Sequence, residues 1–249
     1  MYYYVYDEFV QDPRFERELS LIETRVTDLG IAGKIARLAL FRNAAELIRD
    51  EIKKGAETIV AVGNDLTLRK VIDATVDAGI ALAIIPLGNG TTNRIADMLG
   101  VPQGLAACDI LSARIIEELD IGSLNAKRFI NSVTITPSAA LEIICDGKFK
   151  LTPLKKGAIE VRNLALADDV VRAANPTDGK LEIVLRLSER SWFGRKKTSA
   201  SIVPVKQATI ISKKPMVLSI DGEPFEAKEL LIKTIPKQLR IITGKKRKF

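Results

Sequence analysis

The sequence predicts an α/β fold: a doubly wound, mostly parallel sheet, followed by an antiparallel β-sandwich. Three observations predict it. Short apolar runs alternate with segments of helical periodicity up to about residue 113, and the alternation stops after that point. The charge also changes sign at nearly the same place: residues 1–120 carry a net −6 and residues 121–249 a net +13, which together give the chain's +7. The expected division is therefore 1–118, an α/β domain, and 119–249, a basic β-rich domain.

Tyr2–Phe9 is rich in Tyr and Val and reads as a strand. Asp12-Pro13 supplies an N-cap and a proline at the first helical position. Phe15, Leu19, Ile22, Val26 and Leu29 then form one apolar helical face, closed by Gly30. A strand over Lys34–Leu40 comes next. Asn43 caps a second helix bearing Ala44, Leu47, Ile48 and Ile52, which stops at Gly55. Thr58–Val62 is a continuous apolar run, as expected for a strand covered on both faces. Gly63–Thr67 is a turn, and a helix runs from there to Ala78 with Gly79 behind it. Ala81–Ile85 is a second buried strand, followed by the glycine-bearing loop Pro86–Thr92 and a short helix to Leu99.

After residue 113 the period is that of strands. Ile115–Leu124 and Arg128–Ile135 are joined near Asn125, and Ala140–Cys145 and Lys148–Thr152 flank Asp146-Gly147, a hairpin signal. Further strands fit Ile159–Leu166, Leu181–Leu187, Ile202–Ile211, Val217–Ile220 and Leu230–Ile235. Ser188–Ser201 and Gly244–Phe249 read as exposed, mobile segments.

Composition removes several chemistries. The chain has no histidine, so Ser-His, Cys-His and His-metal arrangements are excluded. Cys108 and Cys145 are too few for a disulfide framework or a structural zinc site, which fits a reducing cytoplasm. The N-terminus does not follow the pattern of a signal peptide, and no apolar stretch approaches the ~18 residues of a membrane span.

Two segments have the form strand, glycine turn, helix start, where backbone N–H groups and the helix dipole favour phosphate. The first is Gly63-Asn64-Asp65-Leu66-Thr67. The second is Pro86–Asn93, containing Gly88, Gly90 and Thr91. In a parallel sheet both loops belong to the same carboxyl-terminal edge. Asn175-Pro176-Thr177-Asp178-Gly179 and Ile220-Asp221-Gly222-Glu223 are two further turns in the basic half. Taken singly, each is ordinary turn chemistry.

The order of all four resembles the diacylglycerol kinase, sphingosine kinase and bacterial lipid kinase family over nearly the whole chain. Asp120-Ile121-Gly122 and Arg128-Phe129-Ile130-Asn131 resemble that family's junction motifs. The resemblance implies an α/β nucleotide-binding domain and a β-sandwich, with ATP and Mg²⁺ as cofactors and phosphoryl transfer to a diacylglycerol-like hydroxyl. It also implies site residues. Gly63, Asn64, Thr67, Gly88, Gly90, Thr91, Asn93 and Glu223 would hold the nucleotide. Asp221 would accept the hydroxyl proton, Asp65 would orient metal or phosphate, and Asp178 would hold the metal. NAD kinases share the glycine signature of the first loop, so NAD phosphorylation stays open as an alternative.

The sequence also departs from that pattern. Asn64 and Leu66 replace glycines; Asn tolerates a left-handed backbone, whereas the Leu side chain opposes one and crowds a phosphate. Asp7-Glu8-Phe9 stands where the family has a phosphate-binding segment, and carboxylates repel phosphate. These departures imply weak activity and leave a second reading open, a catalytically impaired nucleotide- or lipid-binding homologue. Trp192-Phe193-Gly194-Arg195-Lys196-Lys197 and the basic C-terminus suggest a peripheral contact with an anionic lipid surface. The acidic first half and the lack of aromatics at stacking spacing argue against nucleic acid. The oligomeric state is not legible.

Overall fold

A computed structural model describes residues 1–38, 44–88, 93–136, 141–153, 158–168, 171–190 and 196–249. The chain divides into two compact units, Met1–Leu119 with Gln238–Lys248, and Asp120–Lys237 with Phe249. The sequence expectation, by contrast, ran the second domain to the C-terminus.

The first unit holds the strands β1 (Tyr2–Tyr6), β2 (Gly33–Arg37), β3 (Thr58–Gly63) and β4 (Ala81–Pro86). Their order is β4-β3-β1-β2 and every pairing is parallel. All six residues of β3 and all six of β4 are buried, which is why they read as unbroken apolar runs. The helices are α1 (Glu16–Asp28), α2 (Ala44–Lys53), α3 (Asp65–Asp77), α4 (Arg94–Met98) and α5 (Ala107–Ala113). Leu19, Ile22 and Val26 are the buried residues of α1, the stripe that its periodicity marks. Asp12 accepts the N–H of Arg14 at 3.0 Å and Pro13 opens the turn that leads into α1. Asn43 lies outside the described residues. The sequence reading has no helix at α5. Its buried Ala107, Cys108 and Leu111 keep helical spacing, but small residues make that signal faint.

The second unit is antiparallel. Its strands are β5 (Ile116–Leu124, shared with the first unit), β6 (Lys127–Phe129), β7 (Ser132–Thr136), β8 (Leu141–Cys145), β9 (Phe149–Leu151), β10 (Ile159–Arg162), β11 (Leu181–Arg190), β12 (Lys196–Val205), β13 (Gln207–Ile220) and β14 (Glu223–Ile242). The order β12-β11-β10-β7-β13-β14 surrounds a core that includes Phe129, Ile135, Ile143, Ile183, Ile210 and Leu230. The end of β14 lies in the first unit, where Ile241 pairs in parallel with Leu82.

Four expectations change here. The strand read as Ile202–Ile211 breaks at Lys206, because Asp146 Oδ1 accepts the N–H of both Lys206 and Gln207 at 2.9 Å. The segments read as separate, up to Ile211 and from Val217, are one strand, β13, irregular between Ile211 and Met216. Pro215 lies in that irregularity, where a missing N–H costs no ladder bond. Before it β13 pairs with β8, and after it with β7. Within Ser188–Ser201, residues 188–190 and 196–201 are paired strand rather than loop, while Trp192–Arg195 lie outside the described residues. Gly244–Phe249 is tied down as well: Gly244 N–H donates to Leu99 O and Lys248 N–H to Met98 O, both at 2.8 Å.

Candidate functional site

In the first unit the candidate site begins where β3 ends. A Cβ built on Gly63 would stand 2.1 Å from Thr67 Oγ1, so only glycine lets the strand turn this tightly beside that side chain. Asn64 is extended, with φ −130 and ψ −169, and caps α3. Its Oδ1 accepts the N–H of Leu66 at 3.0 Å and of Thr67 at 3.2 Å, and its own N–H donates to Thr67 Oγ1 at 2.9 Å. The left-handed conformation considered for Asn64 is absent. Leu66 likewise has no positive φ; it is a helical residue with 47% of its surface exposed.

Thr67 is fully buried and its hydroxyl donates to Asp7 Oδ2 at 2.7 Å. Lys70 Nζ lies 2.9 Å from each Asp7 oxygen, and Glu8 N–H donates to Asp7 Oδ1 at 2.6 Å. Asp7 is therefore neutralised by a lysine one turn along α3. The repulsion expected of it toward phosphate is largely offset. Neither Lys70 nor its pairing with Asp7 was singled out from sequence, since 63 residues separate them.

Asp65 faces the second loop. Its carboxylate accepts the N–H of Arg94 at 2.9 Å and of Ile95 at 3.1 Å, and so caps α4. Asn93, beside it, is 3% exposed; its Nδ2 donates to Leu87 O at 3.1 Å, while its buried Oδ1 has no hydrogen-bond partner among the described residues. Gly88 has φ 90 and packs near the Phe9 ring. The structure thus brings Gly63, Asn64, Asp65 and Thr67 together with Asn93. Gly90 and Thr91 lie outside the described residues.

In the second unit Asp120 is the hub, although sequence reading gave it no role beyond its motif. It is 1% exposed. Its Oδ2 accepts the N–H of Gly179 at 2.7 Å, its Oδ1 that of Lys237 at 2.9 Å, and its own N–H donates to Pro176 O at 2.7 Å. The Pro176–Gly179 turn is held in place by these bonds, with Asp178 exposed on it and accepting Lys180 N–H at 3.0 Å. Asn163, 1% exposed, donates to the carbonyls of Asp120 and Ile130 at 2.9 and 2.8 Å.

Asp221 has φ 47 and turns β13 into β14. Its Oδ2 accepts the N–H of Ile130 at 2.8 Å, and its Oδ1 those of Asn131 and Ser132 at 2.9 Å each. Two motifs some ninety residues apart are thereby one structure. Glu223 is exposed at the start of β14. Arg162, a side chain that sequence reading missed, is 1% exposed. Its Nη2 donates to the carbonyls of Ala165, Leu166 and Arg172 at 2.8–3.1 Å, and burial holds its guanidinium below the usual arginine range. Among the described residues no group of three or more Cys, Asp or Glu side chains is arranged to hold a metal ion, and no helix is long and apolar enough to cross a membrane.

An all-parallel α/β unit with turn motifs at its strand ends is followed by an antiparallel unit whose turns are bound by the carboxylates of Asp120 and Asp221. Residues 7–124 match the family model described as Diacylglycerol kinase catalytic domain. A Klebsiella pneumoniae protein named "Probable lipid kinase YegS-like" is 28% identical over 80% of this chain and 82% of its own length. A Pseudomonas aeruginosa protein of the same name is 35% identical, but the match spans 37% of this chain and 30% of that protein. The crystal structure of a diacylglycerol kinase from Bacillus anthracis superposes with a TM-score of 0.80 at 18% identity, covering 99% of this chain and 97% of that one. The chain is thus similar to the diacylglycerol kinase and bacterial lipid kinase family, with the family-model match confined to residues 7–124.

Proposed function

We propose that this chain transfers a phosphoryl group from ATP to the hydroxyl of a diacylglycerol-like lipid, and does so slowly. The relatives' names support the reaction class. The observation that carries the rate is the closed first turn of α3: the N–H groups of Leu66 and Thr67 are bonded to Asn64 Oδ1, and the Thr67 hydroxyl to Asp7. Phosphoryl transfer demands little covalent work from a protein, but it demands donors aimed at phosphate oxygens. Here the cap must open before those amides reach a nucleotide. Lys70, held at Asp7, is a cation joined to that turn through the hydrogen-bond network.

Mg²⁺ enters such sites on nucleotide phosphates and asks for only one or two protein carboxylates, and Asp178, exposed on a locked turn, is a donor of that kind. Bound there, the ion would supply neutralisation of phosphate charge. Asp221 already accepts three backbone N–H groups, so any proton from the lipid hydroxyl would be taken by a carboxylate fixed in place.

The test is labelled ATP with diacylglycerol-containing vesicles. Expected is measurable phosphatidate formation that rises in Asn64→Gly/Leu66→Gly. No transfer in either protein would sink the reading. The second reading, binding without turnover, is favoured by the engagement of both Asp221 oxygens. Calorimetry with ATP supports it if binding occurs where transfer does not.

A further inference from the structure

The first unit carries a cleft of about 510 Å³ at the C-terminal end of α4, lined by neither the Gly63–Thr67 turn nor Asp65. Its volume falls within the ~300–1,000 Å³ of small-molecule sites. Val101, Ile110 and Ile115 give it apolar walls, and Lys245 and Lys246 stand at it as well.

The backbone around this cleft is held rigidly. A Cβ on Gly244 would stand 2.1 Å from Gly100 O, and one on Gly100 would stand 2.6 Å from Arg247 N, so the C-terminal segment crosses the loop after α4 in backbone contact. Arg247 pairs with Glu117 at 2.7 Å and Lys248 with Asp97 at 2.6 Å. Lys245 and Lys246 are exposed and have no carboxylate partner among the described residues. Thr243 also lines the cleft; it is fully buried, and its hydroxyl has no hydrogen-bond partner among the described residues. A buried hydroxyl left unpaired is costly, and a ligand oxygen would relieve it.

We propose that this cleft binds an anionic amphiphile, with the alkyl chain against Val101, Ile110 and Ile115 and the head group at Lys245 and Lys246. Apolar walls disfavour a fully hydrophilic anion such as a free nucleotide, and the unpaired cations disfavour a neutral or cationic head. The site requires neither the α3 turn nor Asp221, so it stands or falls separately from the phosphoryl-transfer reading.

The experiment is calorimetric titration of the full chain with dodecyl phosphate and with dodecanoate, both below micellar concentration. Inorganic phosphate and dodecyl maltoside serve as controls. Saturable 1:1 binding of the anionic amphiphiles is expected, weakened about tenfold or more in Lys245→Glu/Lys246→Glu, whose positions are exposed. Ala113→Trp, at the exposed end of α5 on the cleft, is expected to block binding. Thr243→Val is expected to weaken binding while raising the melting temperature of the free protein. Tighter binding of dodecyl phosphate points to a phosphate-headed lipid, and tighter binding of dodecanoate to a fatty acid. Absence of saturable binding, equal binding of either control, or affinity unchanged in both the double lysine variant and Ala113→Trp would overturn the proposal.

Discussion

Asp7 and Thr67, sixty residues apart in the chain, share a hydrogen bond of 2.7 Å, and through it the end of β1 is fastened to the first turn of α3. The same hydroxyl accepts the N–H of Asn64, so one buried oxygen serves a tertiary contact and a helix cap together. Thr67→Val keeps the shape and removes both bonds, leaving the Asn64 amide short of a partner and Asp7 Oδ2 with Lys70 in place of two donors. We expect a loss of about 1–3 kcal/mol, read as a lower urea midpoint. Thr67→Ser, which keeps the hydroxyl, should recover most of it.

Asn64→Ala removes the cap and should cost about 1 kcal/mol, whereas Asn64→Gly should cost only a few tenths. The glycine variant also frees the N–H groups of Leu66 and Thr67. Nucleotide affinity, measured by calorimetry, is therefore expected to rise in Asn64→Gly while stability barely moves. Unchanged affinity would separate the cap from any role in phosphate binding.

Asp221→Asn takes the charge from a carboxylate that accepts three backbone N–H groups. Hydrogen bonds to charged groups contribute more than neutral ones, and we expect a loss of about 1.5–3 kcal/mol in the absence of any substrate. A purely chemical role would leave the unfolding midpoint where it is. Differential denaturation of the two proteins decides between them.

Burial pushes the Cys108 thiol up from its ordinary value of 9.0 to about 11. Above pH 9 the unfolded chain gives up this proton while the folded chain keeps it. The contribution is thus complete below pH 9 and is lost as pH rises from 9 toward 11, roughly 2–3 kcal/mol in all. Burial raises Cys145, Tyr4 and Tyr6 too, and they act in the same direction. The gap in stability between wild type and Cys108→Ala should therefore shift against wild type between pH 8.5 and 10.5, followed by urea denaturation at each pH. A constant gap would contradict the burial argument.

Much of the α/β unit was legible because its signals are local. Unbroken apolar runs marked β3 and β4, and a single stripe marked α1. The turn residues Asn64, Asp178 and Asp221 were found by the same kind of short-range pattern. What each does was not legible, because the partner of each side chain is set by the fold. Asn64 was weighed as a stand-in for glycine and is a cap; Asp7 was read as a charge against phosphate and is paired with Lys70.

The amino-acid order alone determined the strands β1, β3 and β4, the stripe of α1 and which turns carry acidic and glycine residues, since these depend on propensity and spacing over a few residues. Only the tertiary structure decided that Asp146 interrupts a strand sixty residues away, that Asp120 grips the Asp178 turn, and that the C-terminal segment joins the first unit. A hydrogen bond depends on distance in space, and no local periodicity encodes that.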